Sequence, residues 1–416
     1  MATSLWGKVY FRELFAGLLQ QEPGGRCVFS YDSSYLARKQ PEAIAFTLPL
    51  RDQPHVSERG LHSFFDNLVA EGWLRNAQAR ALGVNPDDRF ALLLGFGRDL
   101  AGAVSVIDPE PQDVRIDQGD PDAIAALASR ASLSGIQRKL LVVKDGESYR
   151  PAGPNDQGTH IAKLGSSQLR DIVELEFLTT TAARVLLASD PVVDVEISTV
   201  RGISELALVV SRFDRTPSGR KLHFEEFNQL FGRRSGDDKY DGAYEDMGRF
   251  IRATPDCLPA EADRLYRQIL ACLLLGNTDA HFKNFAMFHT RDGLRLTPAY
   301  DLVAAALYPE YQTVALSLGG ARDMNLGKLQ AKHVIALGRG FGSNEAAIVA
   351  AVQDIEKRLP ETQETIERSD VATKKVRTGL ITKMEKRWRG SFASIGQLLS
   401  KRQSKDGRRR TLRSSD

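Results

Sequence analysis

The sequence predicts an α+β fold with two lobes, the second of them mainly helical, and three observations predict it. Strand-like segments dominate residues 139–210, whereas helical periodicity dominates from Ala243 onward. A chain of 416 residues exceeds one average core, which predicts two or three domains. The acidic, proline-containing stretch 108–113 separates a first section from the rest, which indicates a domain boundary there.

The composition is that of an ordinary globular protein, with 42% apolar and 26% charged residues. No apolar run approaches the roughly 20 residues that cross a bilayer, and the N-terminus does not resemble a secretory signal. We therefore expect a cytoplasmic protein without a membrane partner. The three scattered cysteines, Cys27, Cys257 and Cys272, lack metal-ligand spacing, so we expect buried or free thiols.

The charge is uneven along the chain. The formal net charge is +3, but residues 374–416 hold fourteen Lys or Arg and three acids, a net charge of +11, so the other 373 residues carry −8. A basic tail on an acidic body indicates contact with a polyanion or a partner. A solubilising, disordered tail fits the same composition, and both interpretations stay open.

The first section, residues 1–107, predicts a small α/β subdomain with an accessory or docking role. Strands are expected at 8–12 and 27–31 as a pair, with Gly25 in their connection, and a further short strand at 41–49. Helices are expected at 62–69 and 77–82, with another apolar element at 90–94.

The following section, residues 114–242, predicts a lobe built mainly of strands. Helices are expected at 122–130 and 171–187, and strands at 139–143, 159–163 and 206–210. Residues 243–370 form the helical lobe, in which a strong helix at 260–275 ends at Gly276-Asn277. Residues 371–416 form the basic tail.

Directly after that helix the chain carries its most informative segment, Asp279-Ala-His281-Phe-Lys283-Asn284. A strand at 285–289, a turn at Asp292-Gly293 and a strand at 294–296 predict a hairpin, followed by Tyr300-Asp301. The hairpin brings its two ends together, so we expect Asn284 and Asp301 to lie close to each other.

This arrangement suits phosphoryl transfer, which depends on Mg²⁺ and on an oriented acceptor hydroxyl. Asn284 and Asp301 offer the hard oxygen ligands that Mg²⁺ prefers. Asp279 precedes Asn284 by five residues, the offset between catalytic base and metal ligand in protein kinases. His281 and Lys283 are candidates to steady the phosphate or the loop. Each acid alone fits an ordinary turn; the combination favours function.

Upstream segments supply the other parts of a kinase site in the expected order. Residues 132–139 place small side chains where a backbone would approach phosphates, Lys163 closes a strand, and Glu176 lies in the next helix. Residues 210–213 follow a buried-looking strand where an adenine hinge would lie. Taken alone, the loop fits a simple turn and the lysine a solvent-facing side chain.

These motifs together resemble the HipA family of bacterial serine/threonine kinases, the toxins of HipBA-type toxin–antitoxin modules. The resemblance runs to about residue 350 and implies a HipA-like, two-lobed, protein kinase-like fold. The matching motifs are Ser-x-x-Gly-x-Gln-x-Lys at 132–139, Arg-Phe-Asp-Arg at 212–215, Asp-x-His-x-Lys-Asn at 279–284 and Leu-Thr-Pro-x-Tyr-Asp at 296–301, with weaker matches at 223–230 and 239–240.

The resemblance implies ATP and Mg²⁺ as cofactors and a role for each matching residue. Asp279 is the implied catalytic aspartate, assisted by His281 and Lys283, and Asn284 and Asp301 are the implied metal ligands. The implied cofactor-binding residues are Ser134, Gly135, Ile136, Gln137, Arg138, Lys139, Lys163, Glu176, Ser211, Arg212, Phe213, His281, Asn284, Tyr300 and Asp301.

The family also implies regulation and partners. Ser132 matches the position at which members autophosphorylate and expel the loop, and Ser134 is a second candidate because it adds another hydroxyl. A helix-turn-helix antitoxin of the HipB type, its operator DNA, and a protein substrate such as an aminoacyl-tRNA synthetase are the implied partners. Ser211 departs from the family, where this hinge position is often acidic.

Two other readings keep most of these observations. The same fold can phosphorylate a small molecule or a lipid, since Asp-x-His-x-x-Asn patterns also occur in lipid kinases. A catalytically silent, DNA- or antitoxin-binding protein would use the basic tail instead, although all the presumed catalytic groups are present.

Overall fold

The computed structural model describes residues 5–111, 113–115, 121–128, 131–133, 137–216 and 218–399. The chain divides into two compact units. Unit 1 comprises Met1–Val173, Val193–Lys239 and Phe285–Arg291, and unit 2 comprises Glu174–Val192, Tyr240–Asn284 and Asp292–Asp416. Within the described part, no helix has the length and apolar character needed to span a bilayer.

Unit 1 begins with an antiparallel five-stranded sheet. Its strands are β1 (Leu5–Phe11), β2 (Leu14–Gln21), β3 (Cys27–Tyr31), β4 (His55–Ser57) and β5 (Val104–Ile107), in the order β4-β3-β2-β1-β5. Alternate residues, among them Val9, Leu19 and Phe29, form one buried core with Phe65. The helices of this section are α1 (Ser33–Leu36), α2 (Ser63–Asp66), α3 (Gly72–Leu82) and α4 (Arg89–Phe96).

Two predictions for this section are wrong. The strands predicted at 8–12 and 27–31 do not pair with each other, because β2 lies between them. The turn from β1 to β2 uses Arg12 and Glu13, both at positive φ, and neither residue type signals such a turn. The strand predicted at 41–49 is absent; Ala45 and Leu48 form an isolated bridge around a turn, and both are fully buried.

A second antiparallel sheet follows in unit 1, after α5 (Pro121–Ala128). Its strands are β6 (Lys139–Asp145), β7 (Ser148–Pro151), β8 (His160–Lys163), β9 (Val195–Ser198) and β10 (Ala207–Ser211), in the order β7-β6-β8-β10-β9. The strands predicted at 139–143, 159–163 and 206–210 are confirmed as β6, β8 and β10. The short strands β7 and β9 were not predicted.

Unit 1 closes with β11 (Phe224–Glu226) and α7 (Phe227–Leu230), and β11 pairs with β12 (Ala286–Thr290) in antiparallel register. Strand β13 (Gly293–Leu296) follows β12 in the chain and belongs to unit 2. The hairpin strands predicted at 285–289 and 294–296 are therefore confirmed as β12 and β13.

Unit 2 is mainly helical, as the sequence predicts. Helix α6 (Ile172–Leu186) contributes all but its first two residues, and it is followed by α8 (Tyr244–Ala253), α9 (Ala260–Leu275), α10 (Ala331–Gly340), α11 (Glu345–Arg368) and α12 (Lys374–Arg387). Short 3₁₀ segments lie at Asp237–Tyr240, Ala305–Leu307 and Leu326–Lys328, and a π-helical turn at Trp388–Phe392. Helix α9 is buried on most of its surface and has the predicted bounds.

The interpretation of residues 371–416 as a separate tail is wrong for residues up to 399. Helix α12 packs within unit 2 through the buried residues Leu380, Met384 and Arg387, and Phe392 is buried as well. The many lysines of α12 are typical of a solvent-exposed segment. The apolar residues of α12, however, recur at the four-residue spacing of one helix face. Residues 400–416 lie outside the described part.

Candidate active site

Helix α9 positions the candidate catalytic loop. It ends at Gly276, whose φ of 93° reverses the chain, and the N–H groups of Gly276 and Asn277 both donate to the Cys272 carbonyl, at 2.9 and 2.8 Å. This is a glycine C-cap, which left-handed backbone favours. The residues that follow are buried from Ala280 to Asn284, while Asp279 alone in this stretch is exposed. The loop is therefore held firmly and presents one carboxylate.

Tyr240 orients that carboxylate. Its hydroxyl donates to Asp279 Oδ1 at 3.0 Å, and its ring meets the His281 ring edge-on at 5.1 Å between centroids. The Asp279 N–H donates to Asn277 Oδ1 at 3.3 Å, and its carbonyl accepts from the His281 N–H at 2.8 Å. The sequence did not identify Tyr240 as a site residue, and its only signal was the weak match at 239–240.

The backbone of the loop fixes the remaining side chains. The Lys283 N–H donates to His281 Nδ1 at 3.3 Å, so a neutral His281 ring carries its proton on Nε2. The His281 N–H donates to Asn284 Oδ1 at 3.1 Å, and the Asn284 N–H donates to the His281 carbonyl at 2.9 Å. Lys283 is buried, and its carbonyl accepts a 2.8 Å hydrogen bond from the Tyr300 hydroxyl.

Asn284 and Asp301 meet as the hairpin predicts. Asn284 Nδ2 donates to Asp301 Oδ2 at 2.6 Å, and Asn277 Nδ2 donates to the Asp301 carbonyl at 3.3 Å. Asp301 is exposed and has a φ of 56°. An amide and a carboxylate this close can share one hard cation through their oxygens. The donor set therefore fits Mg²⁺ chemically. Asn284 Oδ1 accepts from the His281 N–H in this arrangement, so the carboxamide would have to rotate before that oxygen could hold the ion.

In unit 2, the Arg387 side chain packs against the C-terminal end of α9. Its guanidinium is buried, donates to the Leu274 carbonyl at 3.0 Å, and lies where a side chain on Gly276 would be. A cation at a helix C-terminus is favoured by the helix dipole, but burial lowers the pKa of Arg387 to about 10. No local pattern in the sequence predicts this contact, because Gly276 and Arg387 lie 111 positions apart.

Two further predicted residues lie on the elements that a kinase uses. Lys163 ends β8, the third strand of the second sheet in chain order, and Glu176 lies in α6, the helix that follows it. Both are buried, with 7% and 3% of their surfaces exposed. Protein kinases carry their ATP-binding lysine on the third strand and its glutamate on the next helix.

The predicted hinge residues, Ser211, Arg212 and Phe213, follow β10 in unit 1. The N–H groups of Ser211 and Arg212 donate to the carbonyls of Asp194 and Thr159, at 2.9 and 3.0 Å. The Arg212 side chain is buried in an ion-pair network with Asp214 and Asp99, which also binds Arg215. A nucleotide contact by Arg212 stays a prediction, and its guanidinium is committed to this network.

The predicted phosphate loop is only partly described. Ser134, Gly135 and Ile136 lie outside the described residues. Ser132 is buried, with 3% of its surface exposed, and its hydroxyl makes no hydrogen bond within the described part of the chain.

On the other side of the gap, the side chains face the neighbouring strand end. Gln137 Nε2 donates to the Leu164 carbonyl at 2.9 Å, and Arg138 pairs with Glu205 at 2.5 Å. Lys139 begins β6 directly opposite Lys163 of β8.

The three cysteines are free and buried, as predicted.

Comparison with known proteins supplies the family. Residues 131–363 match the HipA-like C-terminal domain, and residues 7–107 match the HipA N-terminal domain. The protein Y4dM of Sinorhizobium fredii, named as a proposed kinase, is 32% identical over 368 residues, which cover 83% of this chain and 85% of that protein. The serine/threonine-protein kinase toxin HipA of Shewanella oneidensis is 28% identical, covering 76% and 78% of the two chains.

A solved structure shares the fold. A chain of the Shewanella oneidensis complex of toxin HipA, antitoxin HipB and operator DNA superposes with a TM-score of 0.72 at 22% identity, covering 94% of this chain and 99% of that one. This likeness confirms the predicted HipA-like α+β fold. With both domain types matched in order, and the C-terminal type covering more than half of the chain, this chain belongs to the HipA family.

Proposed function

We propose that this chain is an ATP-dependent serine/threonine protein kinase that acts as the toxin of a type II toxin–antitoxin system. The observation that carries the proposal is the arrangement of Asp279, Asn284 and Asp301: an exposed, oriented carboxylate five residues before an amide that contacts a second carboxylate at 2.6 Å. The names of the relatives and the HipA-family membership support the same assignment.

In this proposal each residue of the loop has one task. Asp279 accepts a hydrogen bond from the acceptor hydroxyl and takes its proton, and Tyr240 holds the carboxylate in place. Asn284 and Asp301 would hold Mg²⁺, which supplies charge stabilisation to the phosphates of ATP. Lys283 and His281 keep the loop rigid through their backbone contacts.

Other parts of the chain have proposed roles in the same cycle. Lys163, Glu176 and residues 134–139 would contact or position ATP, with 211–213 as the hinge and Tyr300 beside the metal ligands. The proposed domains are an N-terminal subdomain at 1–107, a nucleotide-binding lobe at 114–242 and a helical lobe at 243–370. A HipB-like antitoxin, operator DNA and a translation component such as an aminoacyl-tRNA synthetase are the proposed partners.

A kinase assay of the purified chain tests the activity. Wild-type protein with labelled ATP and Mg²⁺ should transfer phosphate to a protein acceptor, and Asp279→Asn should lower the rate by about 100-fold or more, since it removes the base. Asp370→Asn, an exposed acid after α11, is the control and should keep the wild-type rate. Equal rates for wild type and Asp279→Asn would contradict the proposal.

The acceptor and the cellular role need a second measurement. Expression of wild type should arrest growth, and Asp279→Asn should not; phosphoproteomics of the two cultures should show phosphoserine or phosphothreonine that only the wild type produces. Transfer of the label from ATP to a lipid or a small metabolite, and not to a protein, would indicate a different class of acceptor. Growth arrest by Asp279→Asn would indicate a toxic effect that is independent of catalysis.

A further inference from the structure

A group of three potential ligands, two of them buried and one half-buried, lies within unit 1, away from the residues discussed so far. His223 immediately precedes β11, Glu225 lies in β11, and His289 lies in β12. One ligand atom from each lies within 4.8 Å of the others. The antiparallel register explains the group: Phe224 faces Phe288, so His223 faces His289, and Glu225 is two residues along on the same face.

Aromatic rings surround the buried side of this group, while the His289 side chain is 20% exposed. Glu225 has no exposed surface, and His223 has 1%. The Phe11 ring packs edge-on against His223 at 4.9 Å, and the Phe64 ring lies 6.3 Å away. A carboxylate buried in such a place needs a counter-charge, because desolvation of an isolated charge costs far more than a hydrogen bond returns.

The described residues satisfy these side chains only in part. Glu225 Oε2 accepts from the Phe46 N–H at 2.7 Å, and His289 Nε2 lies 2.7 Å from the same oxygen but not in hydrogen-bond geometry. Three atoms, Glu225 Oε1, His223 Nε2 and His289 Nε2, have no hydrogen-bond partner among the described residues. Native proteins rarely leave even one such buried atom without a partner.

A proton on His289 does not resolve this arrangement. It would give Glu225 a counter-charge, but it would leave His223 Nε2 without a partner. A single divalent cation between the three side chains contacts all of them and balances the carboxylate. We propose that His223, Glu225 and His289 bind one divalent transition-metal ion, with Zn²⁺ as the best match to two imidazoles and a carboxylate.

The residues that contact the three proposed ligands determine which hydrogen bonds metal binding must change. The Ala103 N–H donates to His223 Nδ1 at 3.4 Å, which is long for a hydrogen bond. Metal on Nε2 would leave the ring proton on Nδ1, so the Ala103 N–H, which donates to Nδ1, would have to give up that contact. Arg12, whose guanidinium donates to the His289 carbonyl at 3.4 Å, is the nearby cation.

The site would join three stretches of unit 1. The β11–β12 ladder supplies the ligands, while Phe46 and Ala103 come from the N-terminal section. A metal there ties these stretches together in the folded state only, so it should raise the stability of unit 1. This inference does not depend on kinase activity, because it concerns residues outside the candidate active site.

Metal analysis of the full-length chain tests the proposal. After treatment with a chelator and dialysis, wild type should take up one equivalent of Zn²⁺, and its Tm should rise by about 3 °C or more. Glu225→Gln and His289→Gln should each weaken binding by about 10-fold or more. His333→Gln, a half-buried histidine in α10, is the control and should bind as wild type does.

Spectroscopy of the unmutated protein keeps the test valid if a variant does not fold. X-ray absorption of the Zn²⁺-loaded wild type should show nitrogen and oxygen ligands with two imidazoles. Binding of less than about 0.1 equivalent, sulfur ligation, or unchanged affinity in folded Glu225→Gln would each overturn the proposal. If less than about 0.1 equivalent binds, His289 and Glu225 form a proton-sharing pair and not a metal site.

Discussion

Asp301 combines two properties at a single residue. Its carboxylate contacts Asn284, and its backbone has a φ of 56°, a left-handed conformation that few residues other than glycine adopt, with Asp and Asn among them. Backbone strain of this kind is found where the surrounding structure imposes a geometry that function needs. The hydrogen bond from Asn277 to the Asp301 carbonyl is part of that restraint.

Ser132 offers a residue-scale test of regulation. Because its hydroxyl is buried, a phosphate can be added only when the segment leaves its place, and the added charge then opposes its return. Intact-mass spectrometry of wild type with ATP should show one added phosphate, and peptide mapping should place it at Ser132. Ser132→Ala should remain unmodified and active for longer. Phosphate at Ser134 alone would contradict the assignment.

Gly276 and Arg387 form a second residue-scale test. Gly276→Ala should destabilise unit 2 by about 1–3 kcal/mol, because its φ of 93° opposes a side chain and the new Cβ would lie 2.6 Å from the Arg387 guanidinium. In a double-mutant cycle with Arg387→Ala, the steric part should vanish and the backbone part should remain, giving a coupling of about 0.5–3 kcal/mol.

Denaturant unfolding measures this cycle, and Gly390→Ala is the matched control, since nothing lies within 4 Å of its Cβ position. If the two substitutions have additive effects on the free energy of unfolding, the Arg387 side chain moves away from the new Cβ without loss of stability. Gly276→Ala leaves the Asp279 carboxylate itself unchanged. If this substitution nevertheless slows phosphate transfer, the contact between Arg387 and Gly276 helps to position the loop that carries Asp279.

At the scale of elements, α11 contains an unusual interior proline. Pro360 lies in the exposed part of this 24-residue helix, where it cannot donate to the carbonyl of residue 356. Pro360→Ala should therefore raise the free energy of unfolding of unit 2, by about 1–2 kcal/mol after the loss of the restraint that proline puts on the unfolded chain. Thermal or denaturant unfolding measures the change.

Glu361→Ala, the neighbouring exposed position, is the control and should change stability by less than about 0.5 kcal/mol. A loss of stability in Pro360→Ala would mean that the packing of Ile355 and Ile366 on either side of the proline depends on its bend.

At the scale of the whole molecule, histidine burial predicts a pH dependence. Burial lowers the pKa of His62 to about 4 and also lowers the pKa values of His55 and His160, all in unit 1, while His333 is the corresponding residue in unit 2. The unfolded chain binds protons at these groups from about pH 6.5 downward, before the folded chain does.

Stability should therefore fall as the pH decreases from about 6.5 towards 4, and more steeply for unit 1 than for unit 2. Unfolding monitored between pH 7 and 4.5 should show the unit 1 transition moving to lower temperature first. His62→Gln should reduce that shift. An unchanged shift would show that other buried groups, such as the Asp99–Arg212–Asp214 network, dominate the acid response.

What the sequence determined is local in the chain. The bounds of α9, its stop at Gly276, and the hairpin at Asp292-Gly293 follow from helical periodicity and turn chemistry, which act over a few residues. The five-residue offset from Asp279 to Asn284 is likewise local, and the hairpin then places Asp301 beside Asn284.

What the tertiary structure decided lies between residues far apart in sequence. It placed β2 between β1 and β3, Tyr240 on Asp279, Arg387 behind Gly276, and His289 opposite His223. Such contacts depend on strand register and on which polar groups lose water. Both are fixed only when the whole core is packed, because no local preference of the chain encodes them.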